Sequence, residues 1–339
     1  MRNQIILLLT LLLSSGAIAT GWVVWQIRTP YYAATGETFV DIPRGAGPGT
    51  IAGLLTQAGV LRTRLPFLII VRWNDGTRRL KAGEYRFTAA ATPEQVMQRL
   101  MRGDVFYVSV TVPEGLTARE TVQHIAGAGL GNPKELENAL LHTDWIRDLA
   151  PEAASLEGYL FPETYHFPRK VSSEQIVKSM VDQFKLRFAR LTDSHPIPKN
   201  WTASQIVTLA SMIEKEVQCP DERPIVASVL VNRLVRGIPL ACDPTIIYAL
   251  KLQDRYDGTI HKSDLGMDSL YNSYTHVGLP PGPIANPGEE SLKAALIPQT
   301  TDYLFYVSRN DGTHQFSKDL RSHLSAVARF QKRLNRRPR

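Results

Sequence analysis

No charged residue lies between Arg2 and Arg28. At ~1.5 Å per residue, a helix from Ile5 to Trp25 reaches ~31 Å, enough to cross the hydrocarbon core of a bilayer. The spacing predicts a transmembrane anchor over residues 1–28. Trp22 and Trp25 stand at its far end, where indoles favour the interface, and Arg2 with the terminal amine favours a cytoplasmic start. The rest of the chain then lies outside the membrane. Ala17-Ile18-Ala19 has the small-x-small pattern of a cleaved signal peptide, but the apolar run continues through Val23, Val24 and Trp25, which favours an uncleaved anchor. No later run approaches spanning length, so a single pass is expected.

The remainder reads as globular. Hydrophobic residues make up 43% and charged residues 21% of the chain, and 339 residues suit about two domains. Cys219 and Cys242 sit in no CxxC pair, and the 8 histidines show no ligand spacing, so neither metal nor cofactor is expected. In an exported chain the two cysteines could form a disulfide or stay as free thiols, and the sequence leaves both open. Lys+Arg 39 against Asp+Glu 32 gives +7, which suits an anionic polymer or lipid without choosing between them. No Gly-x-Ser-x-Gly elbow, phosphate-binding glycine loop or His-Glu-x-x-His helix is present.

Residues 29–37 read as a short tether. Residues 38–112 read as a small α+β module: a strand from Phe39 to Ile42, helices over 51–58 and 65–73, and a turn at Asn74-Asp75-Gly76. A strand over 80–87, a helix capped by Thr92 and a strand over 105–112 complete it. From 113 to 339 the chain is a larger, helix-rich α+β domain. Capping signals stand at Thr117–Glu120, Asn132-Pro133 and Thr202–Gln205. Strands at Tyr303–Val307 and His314–Phe316, turned by Asn310-Asp311-Gly312, and a helix from about Ser322 end it. The basic tail of Arg329, Lys332, Arg333, Arg336, Arg337 and Arg339 reads as a solvated helix end, or as an attraction to an anionic surface.

Projected at 3.6 residues per turn, the helix after Thr202 has a stripe of Ile206, Leu209, Ala210, Ile213 and Val217. Glu214 falls on the edge of that stripe. Glu216 lies about 200° away with Met212 and is expected to face solvent. A carboxyl at the rim of a buried face suits a general acid, while pairing with Lys215 or Arg223 is the structural alternative. Asp243 before Pro244 either caps a helix or binds hydroxyls, with Tyr248 one turn on. The loop Ser155–Tyr165, with Glu157 and Tyr159, is a sugar platform or a core lid. The run Gly278–Gly288 must form an irregular wall, with Asn272 and Tyr274 just before it.

Ala210-Ser-Met-Ile-Glu214-Lys-Glu216, Val226–Leu234 with Asn232-Arg233, Asp243-Pro-Thr-Ile-Ile-Tyr248, Tyr271-Asn272-Ser-Tyr274, Gly278–Gly288 and Leu156–Pro162 resemble the endolytic murein transglycosylase (MltG, YceG-like) family, from the anchor to the C-terminus. Glu163 stands where that family often has Asp, and the two cysteines where it has other small or polar residues.

The resemblance implies a bacterial inner-membrane protein with a LysM-like module at 38–112 and a catalytic domain at 113–339 in the periplasm. It implies Glu214 as the single acid/base; Glu157, Tyr159, Asn232, Asp243, Tyr248 and Asn272 are the residues expected to orient the sugars. It also implies cleavage within nascent peptidoglycan strands, leaving 1,6-anhydromuramyl ends and ending strand elongation, with no cofactor. Peptidoglycan, the membrane and strand-synthesising enzymes are the expected partners, and nucleic acid is not. A non-catalytic glycan-binding scaffold and a two-carboxylate hydrolase are the alternatives.

Overall fold

The computed structural model describes residues 2–74 and 79–331. Asp75 and Gly76 of the expected turn, and the basic tail beyond Gln331, lie outside the described residues. Helix α1 (Arg2–Arg28) carries an apolar stretch from Ile6 to Arg28 with mean hydropathy 1.9; most of it is exposed, while at its end Gln26 is buried and Ile27 packs against the core of the first unit. It is long and apolar enough to cross a membrane.

The chain divides into two compact units, Met1–Val108 and Ser109–Arg339. In the first, β1 (Thr38–Ile42) pairs antiparallel with β2 (Gly83–Phe87), Val40 standing opposite Tyr85. Alternation along β1 sends Val40 and Ile42 inward and Asp41 outward. Between the strands run α2 (Pro48–Gln57) and α3 (Arg64–Trp73), and α4 (Pro93–Arg102) follows. Helix α2 begins earlier than the apolar spacing predicts, because Pro48 supplies a helix-ready φ at its first turn. The Thr92–Gln95 capping box opens α4, and Gly103, at φ 78°, closes it. Ile51, Leu55, Phe67, Tyr85 and Leu100 fill the core. Residues 29–37 are tied to this unit: the Tyr31 amide donates to Ala91 O at 3.1 Å, and the Tyr32 hydroxyl to Phe87 O at 2.8 Å.

In the second unit β3 (Val108–Thr111) pairs with β4 (Thr164–Phe167). Helices α5 (Ala118–Gly127) and α6 (Pro133–Ala139) lie between these strands. Then come α7 (Ser173–Ser194), α8 (Ala203–Glu216), α9 (Arg223–Val235), α10 (Asp243–Leu252) and α11 (Glu289–Leu296). The hairpin of β5 (Phe305–Ser308) and β6 (His314–Ser317) and the helix α12 (Leu320–Phe330) close the chain. Asp319 caps α12 through the Ser322 amide, so it starts slightly before the expected residue. Helix α7 was not anticipated, although a Ser172–Gln175 capping box opens it and Ile176, Met180, Phe184 and Phe188 make its buried face.

Helix α8 is the axis of this unit, packed on α9, α10 and α11, and every residue from Ile206 to Ile213 is buried. The Pro/Gly run 278–288 does form an irregular wall, pinned through backbone groups. Ile284 N donates to Ser211 Oγ at 3.0 Å. Asn286 Oδ1 accepts from the amides of Gly158 and Leu160, and its Nδ2 donates to Leu116 O and Thr121 Oγ1. Gly158 adopts φ +88° against Pro283, a close approach that needs a residue without Cβ.

Candidate active site

The two carboxylates at the end of α8 leave the helix into different surroundings. The Glu214 side chain is 7% exposed, accepts from the Gly288 amide at 3.0 Å, and lies 3.7 Å from the Arg223 guanidinium. Arg223 also faces Glu114 at 3.8 Å and donates to Ser291 Oγ at 3.2 Å. Burial and the charge of Glu214 push the Glu114 carboxyl up, while Arg223 opposes the shift. Neighbouring Lys215 donates to Gly115 O at 2.9 Å. Glu214 thus joins α8 to α9, the wall and the 113–115 turn. The pairing with Arg223 weighed as the structural alternative is the one observed.

Glu216 does not face solvent. Helix α8 is enclosed nearly all round, so the side away from the Ile206 stripe meets protein, in this case Cys242, Asp243 and Tyr306. Burial, and then the charge of Asp243, push the Glu216 carboxyl up to about 7. Hydrogen bonds to Cys242 and Tyr306 and the charge of Arg233 oppose that rise. The carboxyl lines a pocket of about 440 Å³ together with Arg233, Asp243, Tyr274, Tyr306 and His323.

The walls of that pocket are fixed from below. Arg233 donates to the carbonyls of Leu304 at 2.6 Å and Leu240 at 2.7 Å, so its charge is held in place. Tyr274 donates to Asp243 Oδ1 at 2.5 Å. Glu222 accepts from both the amide and the Nδ1 of His314, at 2.9 and 2.6 Å, and the His314 ring meets Tyr306 edge-on. Burial raises the Cys242 thiol and the Tyr306 hydroxyl far above their ordinary values, so both stay protonated; the thiol donates to Leu240 O at 3.6 Å and lies 3.9 Å from the Tyr306 hydroxyl. Cys219 and Cys242 are free thiols.

Glu157 is a second buried carboxyl, 7% exposed. Its Oε1 accepts from the Ala118 amide at 2.9 Å, and its Oε2 from the Tyr248 hydroxyl at 3.3 Å. Burial drives it up to about 8 despite those bonds. The native state therefore holds a proton that the unfolded chain releases near its ordinary value, about 4. Stability is greatest below that value and is lost as pH rises toward 8. Glu157→Gln should flatten thermal melts of the detergent-solubilised chain between pH 5 and pH 9. Roughly 1–3 kcal/mol of the wild-type loss, a few degrees of Tm, should be absent in the variant. Equal slopes in the two proteins would show that this carboxyl does not titrate in that window.

The other expected sugar-orienting residues divide. Tyr248 is 7% exposed, its ring 4.9 Å from that of Tyr271, and it remains at a pocket wall. Asp243 is exposed on the Glu216 pocket, but it does not cap α10, because its carboxylate accepts from Tyr274. Three residues have structural partners instead. Tyr159 is 1% exposed and set edge-on to Phe184, so the 155–165 loop is largely a core lid. Asn232 spends its amide on Thr301 O and Tyr303 O at 2.8 and 3.0 Å. Asn272 is fully enclosed, donating to Leu265 O and Met267 O and accepting from Tyr274 N.

The sequence pattern of the YceG-like family matches residues 40–329. An endolytic murein transglycosylase of Bacillus subtilis is 32% identical over 308 residues, covering 86% of this chain and 84% of that protein. Another, from Streptococcus pneumoniae R6, is 28% identical over 301 residues, which are 79% of this chain and 54% of that one. A crystal structure of a YceG-like protein from Listeria monocytogenes, 30% identical, aligns with 86% of this chain and 99% of its own at a TM-score of 0.58.

Proposed function

The chain belongs to the YceG-like family, and on that premise we propose that it is an endolytic murein transglycosylase whose acid/base is Glu216. The observation that carries the residue assignment is the enclosed Glu216 carboxyl, poised near neutral pH on a polar pocket. A group that must give up a proton and then take one back works best with a pKa near the working pH. Glu214, tied to the Gly288 amide and Arg223, has its oxygens engaged elsewhere.

The steps follow from one carboxyl. Protonated Glu216 donates to the oxygen between N-acetylmuramic acid C1 and N-acetylglucosamine. As that bond breaks, positive charge develops at C1, and Asp243 in the same pocket supplies a compensating negative charge. The leaving sugar departs as an alcohol. Glu216, now a carboxylate beside Tyr306 and Cys242, takes the proton from the muramyl C6 hydroxyl while O6 bonds to C1. The product is a 1,6-anhydro end, no water is consumed, and the acid is restored.

The same reading assigns residues 1–28 as an anchor with a cytoplasmic N-terminus, and residues 113–339 as a periplasmic catalytic domain. The β1-α2-α3-β2 order supports a LysM-like, glycan-contacting module at 38–112. Cutting nascent strands beside the membrane would end their elongation and place the protein next to strand-synthesising enzymes. The test is mass spectrometry of glycans released from purified peptidoglycan by the full chain. Anhydro ends are expected. Reducing ends would make the protein a hydrolase, and no release at all would make it a glycan-binding scaffold.

A further inference from the structure

A second pocket, of about 490 Å³, lies at the other end of α10 from Asp243 and is bounded by Thr117, Glu120, Glu157, Tyr248, Lys251 and Tyr256. The Glu157 carboxyl and the Tyr248 hydroxyl, bonded to each other, form one polar surface of it. Tyr256, half-buried, stands beside Lys251, whose ammonium lies 5.9 Å from the ring centroid.

The charges of this pocket are balanced internally. Lys251 donates to Glu120 at 2.6 Å, and Arg119 to Asp254 at 3.0 Å. Glu157, raised by burial, holds its proton at neutral pH and adds no charge. A charged ligand group would have to displace one of these pairs, whereas hydroxyl and acetamido groups find donors, acceptors and an aromatic wall.

Position links this pocket to the one at Glu216. Asp243 and Lys251 share a helix, eight residues or ~12 Å apart along its axis, further than a single pyranose ring extends. Three tyrosines pack against the same apolar cluster of α10: Tyr274, bonded to Asp243, Tyr271, set against Tyr248, and Tyr256, beside Lys251.

We propose that this pocket is a second carbohydrate subsite. It would take an uncharged, N-acetylated pyranose of the strand whose bond is cut at Glu216, with Glu157 and Tyr248 as its polar floor and Tyr256 as its stacking wall. The inference rests on the proposed function for the identity of the strand, but not on its cleavage. A strand held at two places on α10 is gripped along its length, so affinity grows with the number of sugars.

The test uses the full chain carrying Glu216→Gln in detergent, titrated by calorimetry with peptide-free N-acetylglucosamine–N-acetylmuramic acid oligosaccharides of increasing length. Affinity should rise with length. Adding Tyr256→Ala should raise Kd for the longest oligosaccharides by roughly tenfold and erase the dependence on length, while Tyr256→Phe, which keeps the ring, restores it. Thermal melts check that each variant is folded. Equal binding of long oligosaccharides by the parent and Tyr256→Ala would overturn the proposal. So would Tyr256-dependent binding confined to peptide-bearing strands, which would make the pocket a peptide site. Length-dependent, Tyr256-dependent binding by a chain whose unsubstituted form cuts nothing would sustain the subsite while removing the transglycosylase reading.

Discussion

Glu216→Gln should lower turnover on peptidoglycan by on the order of 10²- to 10⁴-fold, because a positioned proton donor and acceptor contributes about that much. Glutamine keeps the shape and one hydrogen-bond acceptor but cannot carry the proton between two oxygens. The pH profile of the unsubstituted chain should fall on the alkaline side of about 7, where Glu216 loses the proton it must donate. Residual activity of the variant should lack that limb. Glu214→Gln should keep turnover within about tenfold and show its effect in stability instead. Arg223 loses a charged partner there, and a weakened buried ion pair costs about 1–3 kcal/mol. Both quantities come from initial rates of anhydro-end formation between pH 5 and 9, with melts alongside. If Glu214→Gln were the inactive variant and Glu216→Gln the active but unstable one, the roles of the two carboxylates would be exchanged.

Gly158→Ala should be a strongly damaging single methyl in the second unit. Its φ of +88° is a conformation that L residues adopt at a cost of about 1–2 kcal/mol. The added Cβ would stand 2.4 Å from the Cβ of Pro283, a ring that cannot rotate away, and overpacking adds about 1–3 kcal/mol more. The sum, roughly 2–5 kcal/mol, predicts a Tm lower by about 5–15 °C for a domain of this size. Gly127→Ala, at the last residue of α5 with nothing within 4 Å of the new atom, is the control and should be neutral or mildly stabilising. A Gly158→Ala protein melting with the wild type would mean that the 155–165 loop and the 278–288 wall can separate without loss.

Where a local rule sufficed, the sequence could be read. Thr92–Gln95, Thr117–Glu120 and Thr202–Gln205 each satisfy helix-end amides by side chains three residues apart, and all three open helices as expected. The Ser172–Gln175 box before α7 carries the same signal and was legible without being read. Glu216 is a different kind of miss. Helical projection assumes one buried face and one wet one, and α8 has protein on nearly every side. The groups that surround Glu216 come from Cys242, Asp243 and Tyr306, a meeting that no window of a dozen residues contains. Asn232 and Asn272 show the converse. Their side chains were expected to await a sugar, but carbonyls of remote or looping backbone already occupy them. Polar residues in a helix-rich core are consumed by irregular segments, whose paths are not periodic.

Asn286 carries a consequence for how the protein is made. Its single amide joins segments 128 and 165 residues away in sequence, at Gly158 and Thr121. A chain emerging from its N-terminus holds the loop around Glu157 and the start of α5 long before residue 286 exists to join them. Closing loops of that length gives no return until the last contact forms, so contacts of high sequence separation slow folding. The second unit therefore completes its fold late, after its polypeptide is almost complete, and a growing chain holds the parts of the proposed site well before they are fastened together.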